Sequence, residues 1–81
     1  MSLHTKRIAA CLLLDRDLAA HGIPSRVDVT RRCVRVERCG RPVVRVWPLL
    51  HVDEWGDPSY LVETGGERRQ VGPVGLLREV R

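Results

Sequence analysis

Residues 26–47, RVDVTRRCVRVERCGRPVVRVW, decide the fold, because valine alternates with charged or polar residues through most of the stretch. A period of two is typical of β-strands that bury one face. Three alternating runs are present, at Val27 and Val29, at Val34 and Val36, and at Val44 and Val46, and the break at residues 39–42 marks a turn between the last two. The segment therefore predicts an antiparallel hairpin with valines on one face and arginines on the other.

The length of the turn sets the register of this hairpin. A two-residue turn would place Val34 opposite Arg45, an apolar residue against a charged one. A three-residue turn at 38–40 places Val34 opposite Val44 instead, and it puts Gly40 where a left-handed residue is favoured. We therefore predict the three-residue turn.

The sequence before the hairpin predicts a helix that begins with Thr5 as its N-cap, runs to about Ala20, and is stopped by Gly22. Its apolar arc is wider than a helix on a sheet needs. One side comprises Ile8, Cys11, Leu12, Leu18 and Ala19. The other side comprises Ala9, Leu13 and Ala20. Either the helix is nearly engulfed, or this second side forms an interface with another copy of the chain or a partner protein.

A second hairpin follows the first. Gly65-Gly66 predicts a two-residue turn that sets Tyr60 opposite Val71 and Glu63 opposite Arg68. The first pair is apolar and the second has opposite charges, so the register is locally consistent.

Two further segments complete the predicted fold. Pro48 has no N–H for a central ladder, so the strand should end or bend near Trp47, with 49–52 as a connection or a short edge strand. Val74, Leu77 and Val80 have helical spacing. The chain is thus predicted as a single α+β domain over residues 1–81, with an N-terminal helix packed on an antiparallel sheet of four or five strands and a short C-terminal helix.

Positive charge is concentrated in the first hairpin. Residues 26–45 carry seven arginines against two acids, a net charge of +5, whereas residues 46–81 carry a net charge of −2. Guanidinium groups bind phosphates and an indole can stack on a base. The candidate nucleic-acid-binding residues are Arg31, Arg35, Arg41, Arg45 and Trp47. The alternative is an ordinary solvated strand face, since exposed faces of antiparallel sheets are commonly charged.

The arginine excess alone does not indicate function. The chain has 13 arginines and one lysine, with no phenylalanine or asparagine, which is typical of coding bias in a high-GC bacterium. Only the placement of the charge therefore bears on a ligand.

Chemistry-bearing residues form no recognisable catalytic, metal or cofactor motif. Asp15 and Asp17 should point about 160° apart on a helix, and Cys33 and Cys39 should lie about 20 Å apart on an extended strand. We therefore expect no enzyme activity, no cofactor and no metal. An odd number of cysteines predicts reduced thiols and a cytoplasmic location. The longest apolar run, Ile8–Leu14, is too short to cross a membrane.

These features predict a small non-enzymatic binding module. The first hypothesis is nucleic-acid binding through the arginine-rich hairpin. The alternative is a protein-interaction or accessory subunit that homodimerises, or docks a partner protein, through the second side of the helix.

Overall fold

Two helices and five strands make up most of residues 2–81, which the computed structural model describes. They are α1 (Leu3–Ala20), β1 (Arg26–Asp28), β2 (Cys33–Val36), β3 (Val44–Val52), β4 (Pro58–Thr64), β5 (Glu67–Val71) and α2 (Pro73–Val80). The strands form one sheet in the order β1-β2-β3-β4-β5, and each neighbouring pair is antiparallel. The predicted α+β architecture is confirmed.

Hydrogen bonds to free backbone groups set the ends of α1. Ser2 is the N-cap, and its Oγ accepts a hydrogen bond from the Thr5 N–H (3.2 Å). The prediction that Thr5 caps the helix is wrong, because Ser2 already satisfies this donor three residues earlier. At the other end, Gly22 has a left-handed φ of 74°, and the Ile23 N–H donates to the Leu18 carbonyl (2.9 Å). This Schellman-type ending confirms the predicted stop at Gly22.

A narrow stripe of α1 enters the core. Cys11, Leu14 and Leu18 are buried against the sheet. Leu12 is 57% exposed and Ala19 is also exposed, so the predicted grouping of these two with the buried residues is wrong. The reason is geometric, since successive residues lie about 100° apart around a helix and a sheet covers only one side of it.

Both helices pack on the same face of the sheet. The strand residues that are fully buried on this face are Val34, Val36, Val44, Val46 and Val62. From α2, Leu76 and Val80 join the same core. Because side chains alternate along each strand, the residues between these valines lie on the outer face, which neither helix covers.

The second hairpin forms in the predicted register. Tyr60 lies opposite Val71, and Glu63 lies opposite Arg68. Gly65-Gly66 makes the turn, and both glycines have positive φ values, 59° and 84°. Such a turn matches the twist of the two strands and favours glycine at both central positions, so its sequence is enough to specify the pairing.

The first hairpin has a longer loop than predicted. Val34 lies opposite Val46, and the prediction that it faces Val44 is wrong. Residues 37–43 all lie between the two strands, and the Arg38 guanidinium donates to carbonyls both within this loop and at the end of α2 (3.1 Å each). The shift is two residues, so every side chain keeps its predicted face and the valines still point inward.

Strand β3 continues past the predicted break. It extends to Val52, with an irregular register against β4 between Pro48 and Val52. The expected disturbance at Pro48 is present, because proline cannot donate to the ladder. The prediction that 49–52 form a separate element is wrong.

Candidate nucleic-acid interface

A row of charged side chains crosses all five strands on the outer face. The strand pairings align, in order, Arg26, Arg35, Arg45, Glu63 and Arg68. Four positive charges and one negative charge give these residues a net charge of +3. We call these five residues the cationic row. They form the longest cross-strand alignment of charged residues that the pairings produce.

Glu63 is shared by two members of the cationic row. Its Oε1 lies 3.6 Å from Arg45 Nη1, and its Oε2 accepts a hydrogen bond from Arg68 Nε at 2.8 Å. One carboxylate thus faces two guanidinium groups, which leaves the trio with a net charge of +1. The chain's own acid neutralises part of the row but not all of it.

The other end of the cationic row is less neutralised. Arg35 Nε lies 3.3 Å from Glu37 Oε1 without the alignment of a hydrogen bond, and this Nε has no acceptor within residues 2–81. Arg26 is exposed and forms no ion pair with any other described residue. An arriving anion would therefore meet its strongest attraction beside β1 and β2.

Trp47 lies next to the cationic row, two residues after Arg45 on β3. Its Nε1 donates to the Arg31 carbonyl (3.1 Å), and the Arg68 guanidinium lies 5.6 Å from its ring centroid, within cation–π distance. One face of the half-buried indole is therefore already occupied. A base could stack on that face only if Arg68 moved away.

The other two arginines predicted to bind nucleic acid lie outside the strands. Arg31 is in the β1–β2 turn, where its N–H donates to Asp28 Oδ1 (3.0 Å) and its side chain is exposed. Arg41 is in the β2–β3 loop, and its Nη1 donates to the main-chain oxygen of Arg81 (2.9 Å) at the end of α2. The structure thus gathers Arg31 with the outer face through Trp47, and directs Arg41 toward the C-terminal helix instead.

Sequence reasoning placed Arg35 and Arg45 together but missed Arg26 and Arg68. Part of the signal was available, since the second hairpin already sets Arg68 opposite Glu63. What joins the two hairpins into one surface is the β3–β4 pairing, and no short turn specifies that register.

The predicted interface on α1 is exposed. Ala9, Leu13 and Ala20 are all exposed, and Leu13 is 63% exposed. Leu12 adds to the same apolar surface. This side of the helix is free to contact another molecule.

Two of the three cysteines, Cys11 and Cys33, are buried. Burial, with a smaller effect of Asp28, raises the pKa of the Cys33 thiol to about 11, and burial also raises the pKa of Cys11. Both thiols are therefore protonated at neutral pH and are poor nucleophiles. Cys39 is exposed and, like the other two, free. Among residues 2–81, no three His, Cys, Asp or Glu side chains are grouped to hold a metal ion.

In the described part of the chain, neither helix combines the length and the apolar character needed to cross a bilayer.

Comparison with protein-family models, curated proteins and solved structures finds no match to this chain.

Proposed function

We propose that this protein is a small, non-enzymatic binding module that contacts nucleic acid through the phosphates, using the cationic row. The observation that carries the proposal is the alignment of four arginines across a sheet face that neither helix covers. Guanidinium groups stay charged throughout the physiological pH range and match phosphate oxygens with paired donors. We place the protein in the cytoplasm, where its three free thiols would stay reduced.

The dimensions of the cationic row suit a polyanion. Neighbouring strands are about 4.8 Å apart, so a row across five strands is about 19 Å long. Phosphates recur along each strand of a nucleic acid at a spacing of only about 3.4 Å along the duplex axis. Several phosphates can therefore reach the row at once, and each contact releases counterions.

The internal ion pairs do not prevent such contacts. Exposed ion pairs contribute little to stability, and the Arg68 side chain is 63% exposed, so a phosphate can reach Arg68 at small cost. Arg45 and Arg68 also share a single partner, Glu63, and each keeps unused N–H donors. The row is thus partly neutralised without being closed to a ligand.

Replacing Glu63 by glutamine tests this proposal, with an expected gain of affinity. Glutamine keeps the shape of the side chain but removes the charge that opposes phosphate, so Arg45 and Arg68 become available. We expect a labelled single-stranded oligonucleotide to bind about threefold to tenfold more tightly at low salt, equivalent to about 1 kcal/mol for one nearby charge. Fluorescence anisotropy titration measures the affinity.

The matched control is Glu54→Gln, which changes the net charge equally but lies in the β3–β4 loop, where Glu54 is exposed and forms no ion pair among residues 2–81. We expect at most a small increase for this variant. Equal gains in both variants would show that only the net charge matters. A wild-type protein that binds neither DNA nor RNA at low salt and micromolar concentration would exclude the proposed function.

A second function, protein interaction, is favoured by the exposed side of α1. Leu12 and Leu13 are more than half exposed, and Ala9 and Ala20 extend the apolar surface. On this alternative the chain homodimerises or docks a partner protein through α1, and the cationic row serves only solubility.

Light scattering on the purified protein tests the homodimer form of this alternative. A dimer that Leu13→Glu converts to a monomer is the result expected if α1 is the interface, because a charge would replace a large apolar side chain at its centre. Leu50→Glu, an equivalent change at an exposed leucine on β3, is the control and should leave the dimer intact. A monomer at millimolar concentration would exclude homodimerisation.

A further inference from the structure

A groove of about 360 Å³ lies between the N-terminal half of α1 and the irregular half of β3. Its volume falls within the range of sites for small organic ligands. Two of its lining residues, Trp47 and Leu61, are paired with each other on neighbouring strands and also belong to the outer face. The groove is therefore continuous with the surface that carries the cationic row.

The groove combines apolar walls with positive charge. Leu49, Leu50 and Pro48 contribute apolar surface, and Arg7 and Arg32 contribute the charges. None of its nine lining residues, all within the described chain, is acidic, and neither arginine forms an ion pair with any residue in 2–81. This chemistry fits a ligand that has an apolar, flat body attached to an anionic group.

Arg32 has an unusual backbone at this groove. Its φ is 55°, the only left-handed value among the non-glycine residues described. Its Cβ is crowded in that conformation, and glycine would adopt it without strain. Backbone strain in folded proteins is concentrated at functional sites. A charged side chain at this position, lining a groove, agrees with a binding role.

We infer that the groove accepts one unpaired base of a single-stranded nucleic acid whose phosphates lie along the cationic row. This inference rests on the proposed function. Trp47 and Leu61 are each two residues from a member of the row, a distance of about 7 Å along a strand. A base can therefore enter the groove while the adjoining phosphates stay on the row, and Arg7 and Arg32 contact the phosphate at its mouth.

Paired probes with and without bases test the inference on the intact protein. One is a labelled oligothymidylate of about 12 nucleotides, and the other is an abasic deoxyribose-phosphate oligomer of equal length. Stacking a base on apolar or aromatic side chains strengthens binding, so we expect the oligothymidylate to bind about tenfold more tightly. An oligouridylate of the same length shows whether RNA binds in the same way as DNA.

A substitution in the groove then tests whether the groove causes the tighter binding of the oligothymidylate. Leu50→Ser should weaken oligothymidylate binding about fivefold and leave the abasic oligomer unaffected. Leu50 is 46% exposed, so the change should not unfold the protein. The control is Leu12→Ser, at a leucine exposed on α1, and it should change neither affinity.

The outcomes separate this inference from the proposed function. If both probes bind equally well, the phosphates alone are recognised, and the inference is wrong while the proposed function stands. If none of the oligothymidylate, the abasic oligomer and the oligouridylate binds, both are wrong. An equal loss for Leu50→Ser and Leu12→Ser would also overturn the assignment of the base to the groove.

Discussion

The double variant Arg35→Gln, Arg45→Gln is expected to bind a single-stranded oligonucleotide about 100-fold more weakly than the wild type at low salt. Each substitution removes one charge-assisted contact to phosphate, worth about 1.5 kcal/mol, and the two residues are adjacent in the cationic row. The dependence of log Kd on log salt should also become shallower, by about 0.7 for each lost contact with a single strand. Anisotropy titrations at four or more salt concentrations measure both quantities.

The matched control removes two arginines from the helices. Arg16 on α1 and Arg78 on α2 are exposed and form no ion pair within residues 2–81. The double variant Arg16→Gln, Arg78→Gln has the same net charge as the test variant, and we expect it to bind within about threefold of the wild type. A comparable loss in both double variants would contradict a role for the cationic row and indicate attraction by net charge alone.

Leu18→Ala is expected to lower the free energy of unfolding by about 3 kcal/mol. Leu18 is 1% exposed and lies in the core formed by both helices and the sheet. Truncating a fully buried leucine removes its packing and leaves a cavity, at a cost of about 2–5 kcal/mol. A domain of this size has only about 4–12 kcal/mol of stability in total, so the loss is a large fraction of it.

Urea unfolding followed by tryptophan fluorescence measures this change, because Trp47 is half-buried in the native sheet. Leu13→Ala is the control, since Leu13 lies on the same helix and is 63% exposed. We expect a loss below about 0.5 kcal/mol for the control. Similar losses for the two variants would mean that α1 does not pack as described.

Local signals in the sequence were sufficient where a short turn sets the pairing. Gly65-Gly66 specifies the register of β4 and β5 through its own backbone geometry, and the predicted pairs are the observed ones. The β2–β3 loop differs, because its Arg38 donates to the Glu79 carbonyl of α2, 41 residues away along the chain. Inspection of the loop residues alone does not reveal such a contact.

Only part of the candidate site could be predicted, because local signals place some of its residues and pairing between distant strands places the others. Alternation along one strand is enough to place Arg35 and Arg45 on the outer face. Adding Arg26 and Arg68 requires the pairing of separate hairpins, which the packing of the core valines selects. The groove depends on the irregular part of β3 beyond Pro48, where neither strand periodicity nor turn chemistry gives a prediction.

Glu63 gives the outer face a built-in competitor. An anion that binds Arg45 or Arg68 has to displace a carboxylate that these two arginines already hold in place. A lone acidic side chain or a small inorganic anion gains little from that exchange, since one carboxylate merely takes the position of another. On the proposed function, a chain of phosphates would engage Arg26 and Arg35 in the same event, so the exchange would favour ligands with closely spaced, repeated negative charge.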